Sequence, residues 1–81
     1  MTYRQLIASA MVKMGEGDRP GALADFEAAL AEARRVDSGG PREAEVLSTL
    51  ALFHDQGGEG ELAGRAREAA EKIFLKFEVL E

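Results

Sequence analysis

With 81 residues the chain has room for one domain, and a domain of that size buries only about 60% of the surface its unfolded form exposes. A formal net charge of −5 argues against sequence-independent nucleic-acid binding and against an anionic membrane surface, both of which call for clustered Lys and Arg. The absence of cysteine removes disulfides, thiolate catalysis and cysteine-based zinc sites, and it is in keeping with a cytoplasmic setting.

Tyr3, Leu6, Ile7, Ala10, Met11 and Met14 recur at i, i+3, i+4, i+7, i+8 and i+11, which is one face of a helix. Thr2 stands at its N-cap, and Gly15-Glu16-Gly17 ends it, because glycine accepts the left-handed conformation of a helix exit. Arg4 and the apolar run to Val12 have the outline of a secretory signal. The small-residue site Ala8-Ser9-Ala10 falls inside that run rather than after it, so an amphipathic helix is the better fit. No stretch approaches the ~18 apolar residues of a membrane span.

Asp18 is placed to cap a second helix with Pro20 in its first turn. Ala22, Leu23, Phe26, Ala29, Leu30, Ala33 and Val36 form its stripe, with Asp25, Glu32 and Arg35 outward. Asp37-Ser38-Gly39-Gly40-Pro41 is the clearest break in the chain. Pro41 reads as the first residue of a third helix, and Glu43 sits where it reaches back to the start. Leu47, Leu50, Ala51 and His54 share one face of that helix, Val46 and Phe53 lie on a flank, and Gly57-Gly58 stops it. Residues 59–80 read as a fourth helix with an apolar stripe of Leu62, Ala66, Ala69, Ala70, Ile73, Phe77 and Leu80. The connections are short, so neighbouring helices are expected to run antiparallel. The expected fold is all-α: one domain over residues 1–81, made of two consecutive helix hairpins.

The two halves nearly repeat. Leu6-x-x-Ser9-Ala10, Gly17, Ala22 and Ala29 match Leu47-x-x-Leu50-Ala51, Gly58, Ala63 and Ala70, each pair 41 positions apart (51 − 10, 58 − 17). With these residues the chain resembles the tetratricopeptide repeat, whose signature sets a Leu-small pair and an aromatic in the first helix before Ala-x-x-x-Phe in the second. Phe26 fills the phenylalanine slot of the first repeat, and His54 stands in the aromatic slot of the second. There are departures. There is no Trp, no proline closes either repeat, Ser9 and Lys13 occupy apolar slots, and Arg67 replaces the second Phe. The 41-residue spacing resembles the longer bacterial variant, with its extended second helix. A plain four-helix bundle would show the same periodicity.

The resemblance implies a TPR-like superhelix of two repeats, about 2–37 and 41–80. It also implies a groove lined by the first helix of each pair. Carried over by position, that groove comprises Arg4, Ile7, Met11 and Met14, then Glu45, Ser48, Leu52 and Asp55. Methionine there adapts to apolar side chains. The family's clamp for a peptide's terminal carboxylate uses Lys and Asn, and this chain offers only Arg4 in those places, so that mode is not expected.

Catalysis is not expected. His54 is the only histidine and has neither a nucleophile nor a second metal ligand in register, so it reads as a packing residue. Gly15-Glu16-Gly17 and Gly58-Glu59-Gly60 lack the spacing of a phosphate loop and carry repelling acids. No cofactor or metal is called for. The end of the chain is apolar nearly all round, which suggests self-association through Ile73, Phe74, Phe77 and Leu80. The expected function is a non-enzymatic protein–protein interaction module that docks a peptide or helix, with a homodimer as its form. A purely structural self-assembly unit is the alternative. The acidic balance favours a basic or apolar peptide as partner, and it also serves solubility.

Overall fold

The computed structural model describes the backbone of residues 1–78 and the side chains of residues 1–76. Four helices follow one another: α1 (Tyr3–Gly15), α2 (Arg19–Asp37), α3 (Pro41–Gln56) and α4 (Gly60–Glu78). Three residues separate each from the next. Cluster contacts set the directions. Tyr3 and Leu6 share a cluster with Ala33, while Ala10 and Met14 share one with Ala22 and Phe26, so α1 and α2 run antiparallel. In the second pair, Ala44 and Leu47 pack with Ala70 and Ile73, and His54 meets Glu59 at the other end. The helices are therefore packed as two consecutive pairs, α1 on α2 and α3 on α4.

Local chemistry accounts for each boundary. The Thr2 hydroxyl accepts from the Gln5 amide at 3.2 Å, and the Thr2 amide donates to Gln5 Oε1 at 2.8 Å, a reciprocal capping box. The Asp18 carboxylate accepts from the Gly21 amide at 3.0 Å, with Pro20 in the first turn where a missing N–H costs nothing. Pro41 opens α3. Glu43 does reach back: its carboxylate accepts from the Gly39 amide at 2.8 Å and from Arg34 Nε at 2.9 Å. The two hairpin turns are copies. Gly17 and Gly58 both have positive φ (81° and 73°). In the first turn Asp18 N–H donates to Lys13 O at 2.9 Å, and in the second Glu59 N–H donates to His54 O at 2.8 Å. This is a Schellman exit, which an L side chain at the glycine would strain.

The pairs join through α3, which touches α1, α2 and α4. Val46 and Phe53, expected on a flank, are fully buried against the first pair. Leu47 and Ala44 face α4 instead. A helix with neighbours on several sides has no single apolar stripe. Among the described residues, nine of the fourteen buried apolar ones are alanine, which lets the helices approach closely at little area per residue.

Three expectations about outward and inward faces change. Asp25 is half-buried, not outward: it accepts from the Ser9 hydroxyl at 2.6 Å and pairs with Lys13 at 3.0 Å. The two polar residues in apolar slots of α1 are thus answered from α2. Val36 is exposed, because Tyr3 at the start of α1 packs level with Ala33. Leu62 is exposed in the first turn of α4, and Ala63 is buried in its place.

Phe53 is the largest side chain shared by the two pairs. Phe53→Ala is expected to cost about 3–5 kcal/mol, most of the stability of a domain of this size. Urea denaturation monitored by far-ultraviolet circular dichroism checks it.

Candidate docking site

The outer face of the second pair carries a recess of about 480 Å³ lined by Ser48, Leu52, Arg67, Ala70, Glu71 and Phe74. Two large apolar side chains stand open at it: Leu52 is 56% exposed and Phe74 45%. Arg67 reaches across from α4 to Asp55 on α3, which fixes the polar edge of the recess. The site is apolar in the middle and carries a hydroxyl, a guanidinium and a carboxylate around it.

The residues carried over from the repeat resemblance do not form one groove. Arg4 and Glu45 come together, 3.8 Å apart, with the Tyr3 hydroxyl donating to Glu45 at 2.8 Å. These residues border a smaller recess of about 280 Å³ with Pro41 and Arg42. Ile7 and Met14 are half-buried and pack on the core around Ala10, Phe26 and Phe53. Met11 alone of the three apolar α1 residues is open, at 51%. Ser48, Leu52 and Asp55 belong to the α3–α4 recess.

Of the residues expected to self-associate, Ile73 is only 7% exposed, because the cluster of Ala44, Leu47 and Ala70 takes it up. Phe74, one position on, faces out. The Phe77 side chain and Leu80 lie outside the described residues. Arg67, Ala70 and Glu71 line the recess but were missed by a reading that followed only the first helix of each pair. Their signal lies in the 41-residue offset, which pairs them with Phe26, Ala29 and Leu30 of α2.

A second recess, about 350 Å³, lies between Arg19, Pro20, Leu23, Phe53, His54, Glu59 and Leu62. The Arg19 guanidinium sits over the Phe53 ring at 4.1 Å and pairs with Glu59 at 2.7 Å. His54 is packed edge-on against Phe53, as expected of a packing residue, and its Nδ1 lies 3.0 Å from the same Glu59 oxygen. A carboxylate accepts only, so the proton at that contact is on Nδ1. Arg19, from the first pair, therefore ties the two pairs together at this end. Among the described residues no three His, Asp or Glu side chains gather to hold a metal ion. No described helix is long and apolar enough to cross a membrane.

Comparison with protein-family models, with curated proteins and with solved structures gives no match.

Three carboxylates that hold helices together sit below their ordinary range. Glu59 is lowered first by the His54 hydrogen bond and then by Arg19. Asp25 is lowered by the Ser9 hydroxyl and then by Lys13. For Glu43, burial acts to raise the carboxyl, and the Gly39 amide and Arg34 outweigh it. A carboxyl lowered in the folded state stabilises the fold above its unfolded value and loses that contribution as the pH falls through its folded one. The melting temperature is expected to drop below about pH 4.5, and Glu59→Gln to flatten that drop. Thermal melts across an acid series measure both.

Proposed function

We propose that the chain is a non-enzymatic docking module of tetratricopeptide-like build, whose α3–α4 recess receives a peptide or a helix. The observation that carries this reading is the exposure of Leu52 and Phe74 at one apolar recess, in a chain whose core is built largely of alanine. An apolar patch with a polar rim is the usual character of a docking surface. Ser48, Arg67 and Glu71 at the rim supply orientation. Arg67 is held at the rim by Asp55.

Two features support the repeat-like part of the reading. Two hairpins are stacked through the first helix of the second, and their turns are hydrogen-bonded alike. The length of α2, 19 residues, accounts for the wide repeat spacing. The polar Arg4–Glu45 end of the face and the half-burial of Ile7 and Met14 favour the seam of α3 and α4 over the first helices as the docking surface. The acidic balance of the chain favours a basic or apolar partner segment, and a cytoplasmic setting agrees with the lack of cysteine.

Leu52→Glu tests the reading. The position is exposed, so folding stability is expected to change by no more than about 0.5 kcal/mol. Affinity capture followed by mass spectrometry should lose whatever proteins the unaltered chain retains. Full capture by a folded Leu52→Glu variant would contradict the proposal.

A further inference from the structure

The α3–α4 recess is a second edition of a surface that is already filled once within the chain. Helices α2 (Arg19–Asp37) and α4 (Gly60–Glu78) coincide end to end at an offset of 41 (60 − 19, 78 − 37). On the first hairpin Ile7, Phe26, Ala29, Leu30 and Ala33 form the seat for α3, through its Val46 and Phe53. The counterparts of those five are Ser48, Arg67, Ala70, Glu71 and Phe74, which line the recess. In the first hairpin an antiparallel helix fills the seat, so a helix has the right shape for the second.

The first helix of another copy is a poor occupant. The residues of α1 that correspond to Val46 and Phe53 are Gln5 and Val12, and Gln5 is tied into the Thr2 cap. Helix α4 suits itself better. Along its exposed flank Gly64, Arg67, Glu71 and Phe74 are spaced three, four and three, one stripe of a helix. That stripe is symmetric about position 69: glycine answers phenylalanine, and arginine answers glutamate. The guanidinium of Arg67 holds Asp55 and keeps donors to spare, so in the antiparallel arrangement each Arg67 lies opposite a Glu71 carboxylate of the other copy.

Gly64 is the second observation. It lies beyond the first turn of α4, where glycine weakens a helix relative to alanine. A Cβ built there would meet nothing within 4 Å, so no neighbour in the chain requires a glycine. Close approach of a second helix would.

We propose that two copies pair through antiparallel α4 helices about a two-fold axis that crosses the exposed stripe between Arg67 and Glu71. Each Phe74 rests on Gly64 of the other copy, and each Arg67 pairs with Glu71 of the other. The proposal rests on the docking reading of the recess and names its occupant. A stable interface buries about 800 Å² on each side, more than one stripe supplies, so Ser48 and Leu52 of α3 complete it.

The test is sedimentation equilibrium of the full chain and its variants, with native mass spectrometry for mixed species. The unaltered chain is expected to dimerise reversibly. Arg67→Glu and Glu71→Arg should each weaken the dimer at least about tenfold, and an equimolar mixture of the two should form a heterodimer, because both cross-axis pairs are then of opposite sign. Gly64→Ala should weaken dimerisation while raising the melting temperature in a monomeric Phe74→Glu background. A monomer at up to about 1 mM overturns the proposal, as does a dimer indifferent to both charge reversals. If the chain is monomeric yet Leu52→Glu still abolishes capture, the dimer falls and the docking reading stands.

Discussion

Phe53 meets Phe26 edge-on at 5.5 Å and lies under the Arg19 guanidinium at 4.1 Å, and the union of the two hairpins depends on that contact. The hairpins themselves are local structures, each closed by a glycine turn. What makes one body of them is a single helix, α3, that gives Val46 and Phe53 to one side and Ala44 and Leu47 to the other. Aromatic contact of this geometry adds about 0.5–1.5 kcal/mol to the area it buries, and the cation above the ring adds more once shielded from water. In a core dominated by alanine such contributions weigh heavily.

The polar contacts follow from the same economy of apolar area. Where the packing is thin, polar and charged side chains span the seams: Arg34 to Glu43, Arg19 to Glu59, Lys13 to Asp25 and Tyr3 to Glu45. Each joins different helices or a helix to the turn beside it. The exposed pairs along single helices, Glu32 with Arg35 and Glu61 with Arg65, are worth little by comparison.

Features decided within a few residues were legible in the sequence. The caps at Thr2 and Asp18, the glycine exits and the reach of Glu43 all depend on residues within a few positions of each other, and local chemistry decides them. Val46 and Phe53 were not legible as core, because a period of 3.6 marks one apolar face and α3 has two. Ile73 and Phe74 failed for the converse reason: a helix end that is apolar nearly all round does not say which side meets the neighbouring helix. Half of the recess was visible through Ser48, Leu52 and Phe74. Arg67 and Glu71 were hidden because they are ordinary surface charges until α3 is placed beside them.

If α3 is the keystone, its amides should be the last to open. Native-state hydrogen exchange under conditions where exchange reports equilibrium opening measures this directly. The account predicts that the slowest amides lie in α3 between Val46 and Phe53, exchange only through global unfolding, and share that free energy with the α2 amides around Phe26. Two hairpins that open independently, with α3 exchanging through opening of its own hairpin while α1 and α2 stay protected, would contradict it.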